Sequence, residues 1–235
     1  MTPESFKNQF RELALQAENT QKRFHLSWDH KWPILNEDTP STGFDRHYVY
    51  HTAWATRAVK RISPSQHVDF SSSLYFASLV SAWVDVLFCD IRPPELELPG
   101  LELRHETLTA LRFDDESLNS ASCMHVLEHV GLGRYGDPLD YDGDIKAMTE
   151  LSRVVKPGGD LLIAVPVGAI PVIQFNAHRI YRFSDIPNFF GEKYDVIEQV
   201  LIPEKGPEGL INAPTPEQIG QTRYACGCYW LRKRR

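Results

Sequence analysis

The 235-residue chain has no run of about 18 apolar residues, so the sequence offers no membrane span. Its start, Thr2-Pro3-Glu4-Ser5-Phe6-Lys7-Asn8, lacks the apolar stretch of a signal peptide, and a cytoplasmic location is expected. Cysteine is scarce. Cys89, Cys123, Cys226 and Cys228 are too few for a disulfide scaffold, and Cys226-Gly227-Cys228 has no matching pair to complete a structural zinc site. Positive charge is short as well: 25 Lys and Arg against 31 Asp and Glu leave a formal charge of −6. Nucleic acid is therefore not expected as a partner, because phosphate binding needs clustered cations. The only dense basic run, Arg232-Lys233-Arg234-Arg235, reads as a solubilising tail. There is no internal repeat and no low-complexity segment. Apolar residues are ample, at 42% against 24% charged, enough for a packed core in one domain with an extension.

Residues 1–60 read as an N-terminal helical cap or lid. Phe6, Phe10, Leu13 and Leu15 recur near helical spacing. An aromatic- and His-rich stretch follows, from Phe24 through Trp28, Trp32, Phe44, His47, Tyr48, Tyr50 and His51 to Trp54. Pro33 and Pro40 break it into helix, loop and helix. Residues 61–235 alternate short apolar runs with helical segments, the pattern of a βαβ sheet. Strands are expected at Gln66–Phe70, Asp85–Cys89, Leu101–His105, Ala121–Val126, Leu161–Val165, Asp195–Leu201 and Cys226–Leu231. Helices are expected near Ser73–Ala82, through Ile145, Met148, Leu151 and Val154, and over Ser184–Phe190 with Ser184 as cap. Lys156-Pro157-Gly158-Gly159 is expected to stop the middle helix. The fold class is α/β, a doubly wound, Rossmann-like sheet of seven strands.

Four segments in order carry a resemblance. They are Leu111-Arg112-Phe113-Asp114-Asp115-Glu116-Ser117-Leu118, Ser122 through Val130 with Leu127-Glu128-His129, Ala147 through Gly159 ending Arg153-Val154-Val155-Lys156-Pro157-Gly158-Gly159, and Leu161 through Pro166. Together this set resembles the second half of class I S-adenosylmethionine-dependent methyltransferases. His125 through Pro138 and Asn176-Ala177-His178-Arg179-Ile180-Tyr181 are similar to a small branch of that superfamily of unknown function, over roughly residues 45–200. That branch is associated with bacterial polysaccharide and natural-product gene sets. The resemblance implies S-adenosylmethionine as cofactor and a small-molecule or glycan acceptor. One departure stands out: after the first strand, Ser71-Ser72-Ser73 replaces the usual glycine-rich turn, through which backbone approaches the cofactor closely.

Cofactor contacts are expected from Asp69, Ser71, Ser72, Asp90, Thr107, Leu108 and His125. Asp90 closes the second strand, where doubly wound folds place an acid that accepts from the ribose hydroxyls. By resemblance, Thr107 and Leu108 bracket the adenine. His125, Glu128, His129 and His178 are the catalytic candidates. On a helical turn His125, Glu128 and His129 would share one face. Their spacing resembles the ExxEH metal motif of small-RNA 2′-O-methyltransferases and quinone-pathway O-methyltransferases, with His125 in place of the first Glu. Three readings stay open: a Mg2+ or Mn2+ site on His125, Glu128, His129 and His178, a histidine base, or a structural role. Residues 131–144, rich in glycine and aspartate, suit contact with sugar hydroxyls or a mere exposed loop. The expected reaction is methyl transfer to a hydroxyl of a sugar-containing or other small metabolite. The alternatives are N-methylation of a small amine and a non-catalytic binding or scaffold protein. A homo-oligomer is left open.

Overall fold

Alternation of buried β-branched strands with amphipathic helices builds the chain into a sheet covered on both faces. The computed structural model describes residues 1–19 and 23–235. These divide into two units, Met1–Phe44 and Asp45–Arg235. In the first, α1 (Pro3–Glu18) starts at Thr2, whose side chain accepts from the Ser5 amide. Phe6 and Phe10 pack on Trp28 with ring centroids 5.9 and 4.9 Å away, and α1 has no buried residue. The sequence placed the boundary at residue 60. The compact units meet at 44/45, and α2 (Arg46–Ile62) sends Trp54, Ala55, Ala58 and Val59 into the core of the second unit.

The second unit continues with β1 (Gln66–Phe70), α3 (Leu74–Val80), β2 (Asp85–Asp90), β3 (Leu101–His105) and β4 (Leu118–Met124). Then come α4 (Gly143–Val154), β5 (Val155–Val167), the short hairpin strands β6 (Val172–Gln174) and β7 (His178–Ile180), and α5 (Asp185–Phe190). The chain ends through β8 (Tyr194–Ile202), β9 (Ile211–Asn212), α6 (Pro216–Gly220) and β10 (Ala225–Lys233). The main sheet runs β3-β2-β1-β4-β5-β10-β8-β9. Strands β1 to β5 are parallel, and β10 lies antiparallel between β5 and β8. Eight strands stand where seven were expected, because the two residues of β9 are too few to show a period yet pair with β8.

Phe76, Ala77 and Val80 of α3 join α2 on one face, against Phe88, Met124, Leu162 and Ala164. Ala147, Met148 and Leu151 of α4, with Ile186 and Phe190 of α5, cover the other, against Val68, Phe70, Leu161 and Ile163. The fold is thus the expected doubly wound α/β arrangement. Two local expectations change. Lys156-Pro157-Gly158-Gly159 lies inside β5, where Gly158 takes φ +80° and the register against β4 shifts. Ser184 occupies the cap position of α5 without a capping hydrogen bond from its side chain.

The order reverses between β1 and β4, so a crevice opens beyond the carboxyl ends of these strands. Beneath it runs a buried polar seam between β1 and β4. His67 holds Ser120 Oγ at 2.8 Å through Nδ1 and Ser122 Oγ at 2.9 Å through Nε2. Ser122 Oγ donates to Asp69, whose carboxylate also accepts from the Ser72 amide at 3.1 Å. Ser72 Oγ in turn accepts from the Met124 amide at 3.0 Å.

Candidate active site

A cavity of about 300 Å³ fills that crevice. Its walls come from the chain just after β1 (Ser71), β2 (Asp90, Arg92), β3 (Thr107, Leu108) and β4 (His125, His129). The serine turn reaches the shape that glycine usually supplies by putting Ser71 itself at φ +57°, in the left-handed region. Its amide and hydroxyl both donate to the Cys89 carbonyl, at 2.8 and 3.1 Å. Asp90 Oδ1 accepts the Arg92 amide at 2.6 Å, an Asx turn before the prolines, and the carboxylate lines the cavity. Asp69 and Ser72 do not line it. Both are buried in the polar seam, where their hydrogen bonds tie the serine turn to the end of β4. Five of the seven expected cofactor residues therefore share one cavity: Ser71, Asp90, Thr107, Leu108 and His125.

His125 follows β4 with φ +56°, and a single turn of 3-10 helix spans Leu127–His129. The three side chains meet through this left-handed kink rather than along a helical face. His125 Nδ1 sits 2.9 Å from Glu128 Oε1, and His129 Nε2 is 3.8 Å from the same oxygen. Burial works against a charged His125, but Cys226 and Glu128 outweigh it and lift its pKa to about 10. Burial raises the Cys226 thiol far above its usual range, and Glu128 Oε1 is the acceptor at hydrogen-bond distance from His125 Nδ1. That pairing removes His125 as a proton acceptor near neutrality. His129 is different: burial lowers its pKa, and Nδ1 donates to the Ala177 carbonyl at 2.7 Å, leaving the lone pair on Nε2. Glu128, 1% exposed, sits beside Nδ1 of His125 and Nε2 of His129. His178, on β7, stacks on Tyr224 at 5.0 Å and stands 6.4 Å from His129, ring to ring.

The expected metal set does not assemble. No three of His125, Glu128, His129 and His178 bring ligand atoms within 4.8 Å of one another, and Nδ1 of His125 and of His129 already serve Glu128 and Ala177.

The loop of residues 131–144 forms the other cavity wall, through Gly131, Tyr135, Asp137, Asp140 and Gly143. A Cβ on Gly131, at φ +80°, would clash with the Asp140 carbonyl oxygen, so only glycine lets the loop close on itself. Arg179, 5% exposed, donates to the carbonyls of Val130 (2.6 Å) and Tyr141 (2.9 Å) and faces Asp144 at 3.6 Å. Tyr181 donates to Asp144 at 2.9 Å. Two guanidinium groups lie over the Tyr135 ring, Arg92 at 4.7 Å and Arg134 at 5.2 Å. The sequence did not point to Arg92, whose only signal is its place two residues after Asp90. The sequence named His47 and His51 of α2 as part of the aromatic- and His-rich stretch, without assigning either a role of its own. Both rings are buried and held neutral by burial, with pKa values near 4 and 3, and pack 5.2 and 4.9 Å from His125.

The family described as "Caenorhabditis protein of unknown function, DUF268" matches residues 106–198, less than half of the chain. No curated protein matches. Solved structures do. The N-methyltransferase NodS from Bradyrhizobium japonicum WM9 aligns at TM-score 0.57 and 11% identity, over 85% of this chain and 99% of its own. The Burkholderia thailandensis 1,6-didemethyltoxoflavin-N1-methyltransferase, solved with S-adenosylhomocysteine, aligns at 0.55 and 11%, over 79% of each chain. The [4+2]-cyclase SpnF aligns at 0.55 and 12%, over 77% and 82%. The chain has the Rossmann-like fold of class I methyltransferases.

Proposed function

We propose that this protein transfers a methyl group from S-adenosylmethionine to a hydroxyl of a sugar-containing or other small metabolite. The observation that carries the reading is the single cavity at the carboxyl ends of β1 to β4, which gathers Ser71, Asp90, Thr107, Leu108 and His125. Its size falls at the lower end of the range for small-molecule sites, and Asp90 offers a carboxylate where a ribose diol needs an acceptor. S-adenosylmethionine, when bound, supplies an electrophilic methyl group on a sulfonium. Asp90 would accept from the ribose hydroxyls, and Thr107 and Leu108 would line the base end of the cofactor's place. The His125–Glu128 pair is neutral overall, so it brings no repelling charge toward a sulfonium. His129 Nε2 takes the acceptor's proton, while the Ala177 carbonyl fixes its tautomer and orientation. Tyr135 and Asp137 on the opposite wall suit hydrogen bonds to sugar hydroxyls. Two of the neighbours above are described as N-methyltransferases, which favours an amine as the second acceptor class. A neutral imidazole serves an ammonium as well as an alcohol.

Calorimetric titration with S-adenosylmethionine tests the reading. Wild-type protein is expected to bind, and Asp90→Ala to bind at least about 10-fold more weakly, since each charge-assisted hydrogen bond contributes about 1.5–3 kcal/mol. Absence of heat with wild type would favour a binding or scaffold role for another ligand. Unchanged affinity in folded Asp90→Ala would remove Asp90 from the site.

A further inference from the structure

We propose that His47, His125 and Cys226 form a zinc site at the edge of the cavity. The ligand atoms of these three side chains, from α2, the end of β4 and β10, lie within 4.8 Å of one another. All three residues are buried, at 8%, 8% and 0% exposure. His125 Nδ1 is held by Glu128 at 2.9 Å, and its buried Nε2 is left to face the Cys226 thiol. A carboxylate on one ring nitrogen, with the other turned toward a second ligand atom, is how proteins orient a metal-binding imidazole. The His47 ring is fixed from its other side by the stacked Tyr224 ring, 5.0 Å away.

Two imidazoles and a thiol select a borderline-soft ion over Mg2+ or Mn2+. On binding, the Cys226 thiol and the His125 imidazolium each lose a proton to solvent as the Zn–S and Zn–N bonds form. The thiolate and the Glu128 carboxylate then balance the two positive charges of Zn2+, so the buried site carries no net charge. Three protein ligands leave the fourth tetrahedral position open, the pattern of zinc sites that take a water or a substrate oxygen. Because His125 also lines the cavity, the metal adjoins the space assigned to the acceptor. The site stands whether or not the methyl-transfer reading holds.

Cobalt(II) serves as the probe, because thiolate ligation gives a charge-transfer band in the near ultraviolet. Metal-free wild type is expected to bind one equivalent of cobalt with that band, and Zn2+ to displace it. Cys226→Ser should abolish the band. His47→Gln should keep it but weaken binding at least tenfold, and His178→Gln should leave both unchanged. Thermal unfolding of the metal-free variants checks that they fold, and His47→Gln decides the matter if Cys226→Ser does not. Wild type without a stoichiometric band would overturn the proposal, as would a band lost in His178→Gln but unaltered in His47→Gln. Calorimetry with S-adenosylmethionine reads the cofactor separately, so failure of either conclusion leaves the other visible.

Discussion

At the scale of single residues, the pair His67 and Asp69 on β1 sets an unusual dependence on acidity. Burial pushes the His67 imidazole from 6.5 down to about 3 and the Asp69 carboxyl from 3.8 up to about 7. The unfolded chain binds a proton on His67 that the folded one refuses. That contribution to stability is complete above about pH 6.5 and is lost as pH falls toward 3. The folded chain keeps a proton on Asp69 that the unfolded one gives up. That contribution is complete below about 3.8 and is lost as pH rises toward 7. Between about pH 4 and 6.5 the two slopes oppose. Asp69→Asn should therefore steepen the rise of stability with pH by ~1.4 kcal/mol per unit relative to wild type, and His67→Gln should shift it equally in the other direction. Urea midpoints across that range read both. Identical profiles for all three proteins would mean that the seam titrates as solvent-exposed groups do.

At the scale of elements, motifs that are separate in the sequence turn out to hold one another. Arg153 at the end of α4 donates to the carbonyls of Leu111 and Phe113 and to Asp115, at 2.9, 2.8 and 2.7 Å. Arg179 of β7 does the same for the loop of residues 131–144. Arg179→Ala would leave Asp144 without its buried cationic partner and the Val130 and Tyr141 carbonyls without their donor. A loss of about 3–5 kcal/mol in unfolding free energy is expected, measured by chemical denaturation. Less than 1 kcal/mol would show that water replaces the guanidinium. Such links explain what could be read in advance. Strand positions and the Asp90 turn follow from local pattern and were legible, whereas His125, Glu128 and His129 meet through a left-handed kink in place of the expected helical face. The clustering of Cys226 with His47 and His125 was not legible. Cys226-Gly227-Cys228 looked incomplete as a zinc motif because its imidazole partners come from α2 and from the end of β4. No spacing rule encodes a contact made by sheet order. The serine turn was legible as a departure, whereas the polar seam that supports it needs the pairing of β1 with β4.

At the scale of the whole molecule, the division at 44/45 makes its own expectation. Asp45 caps α2, its carboxylate accepting the Tyr48 amide at 3.1 Å, so the second unit begins with its own helix start. A chain beginning at Asp45 should keep a single cooperative thermal transition followed by circular dichroism, because both core clusters lie within residues 45–235. Loss of that transition would show that residues 1–44 are part of the folding unit.

The antiparallel insertion of β10 has a consequence for how the protein is made. A chain emerging from the ribosome with β8 complete but β10 still unsynthesised presents two unpaired edges, on β5 and on β8. Each carries apolar side chains, Leu161 to Val165 on one and Val200 to Ile202 on the other. Open edges of this kind invite pairing with a neighbouring nascent chain. Polypeptides stalled or terminated before residue 225 are thus expected to be caught by chaperones or to aggregate. Cys226, which enters the sheet with that final strand, reaches His125 only once the sheet has closed.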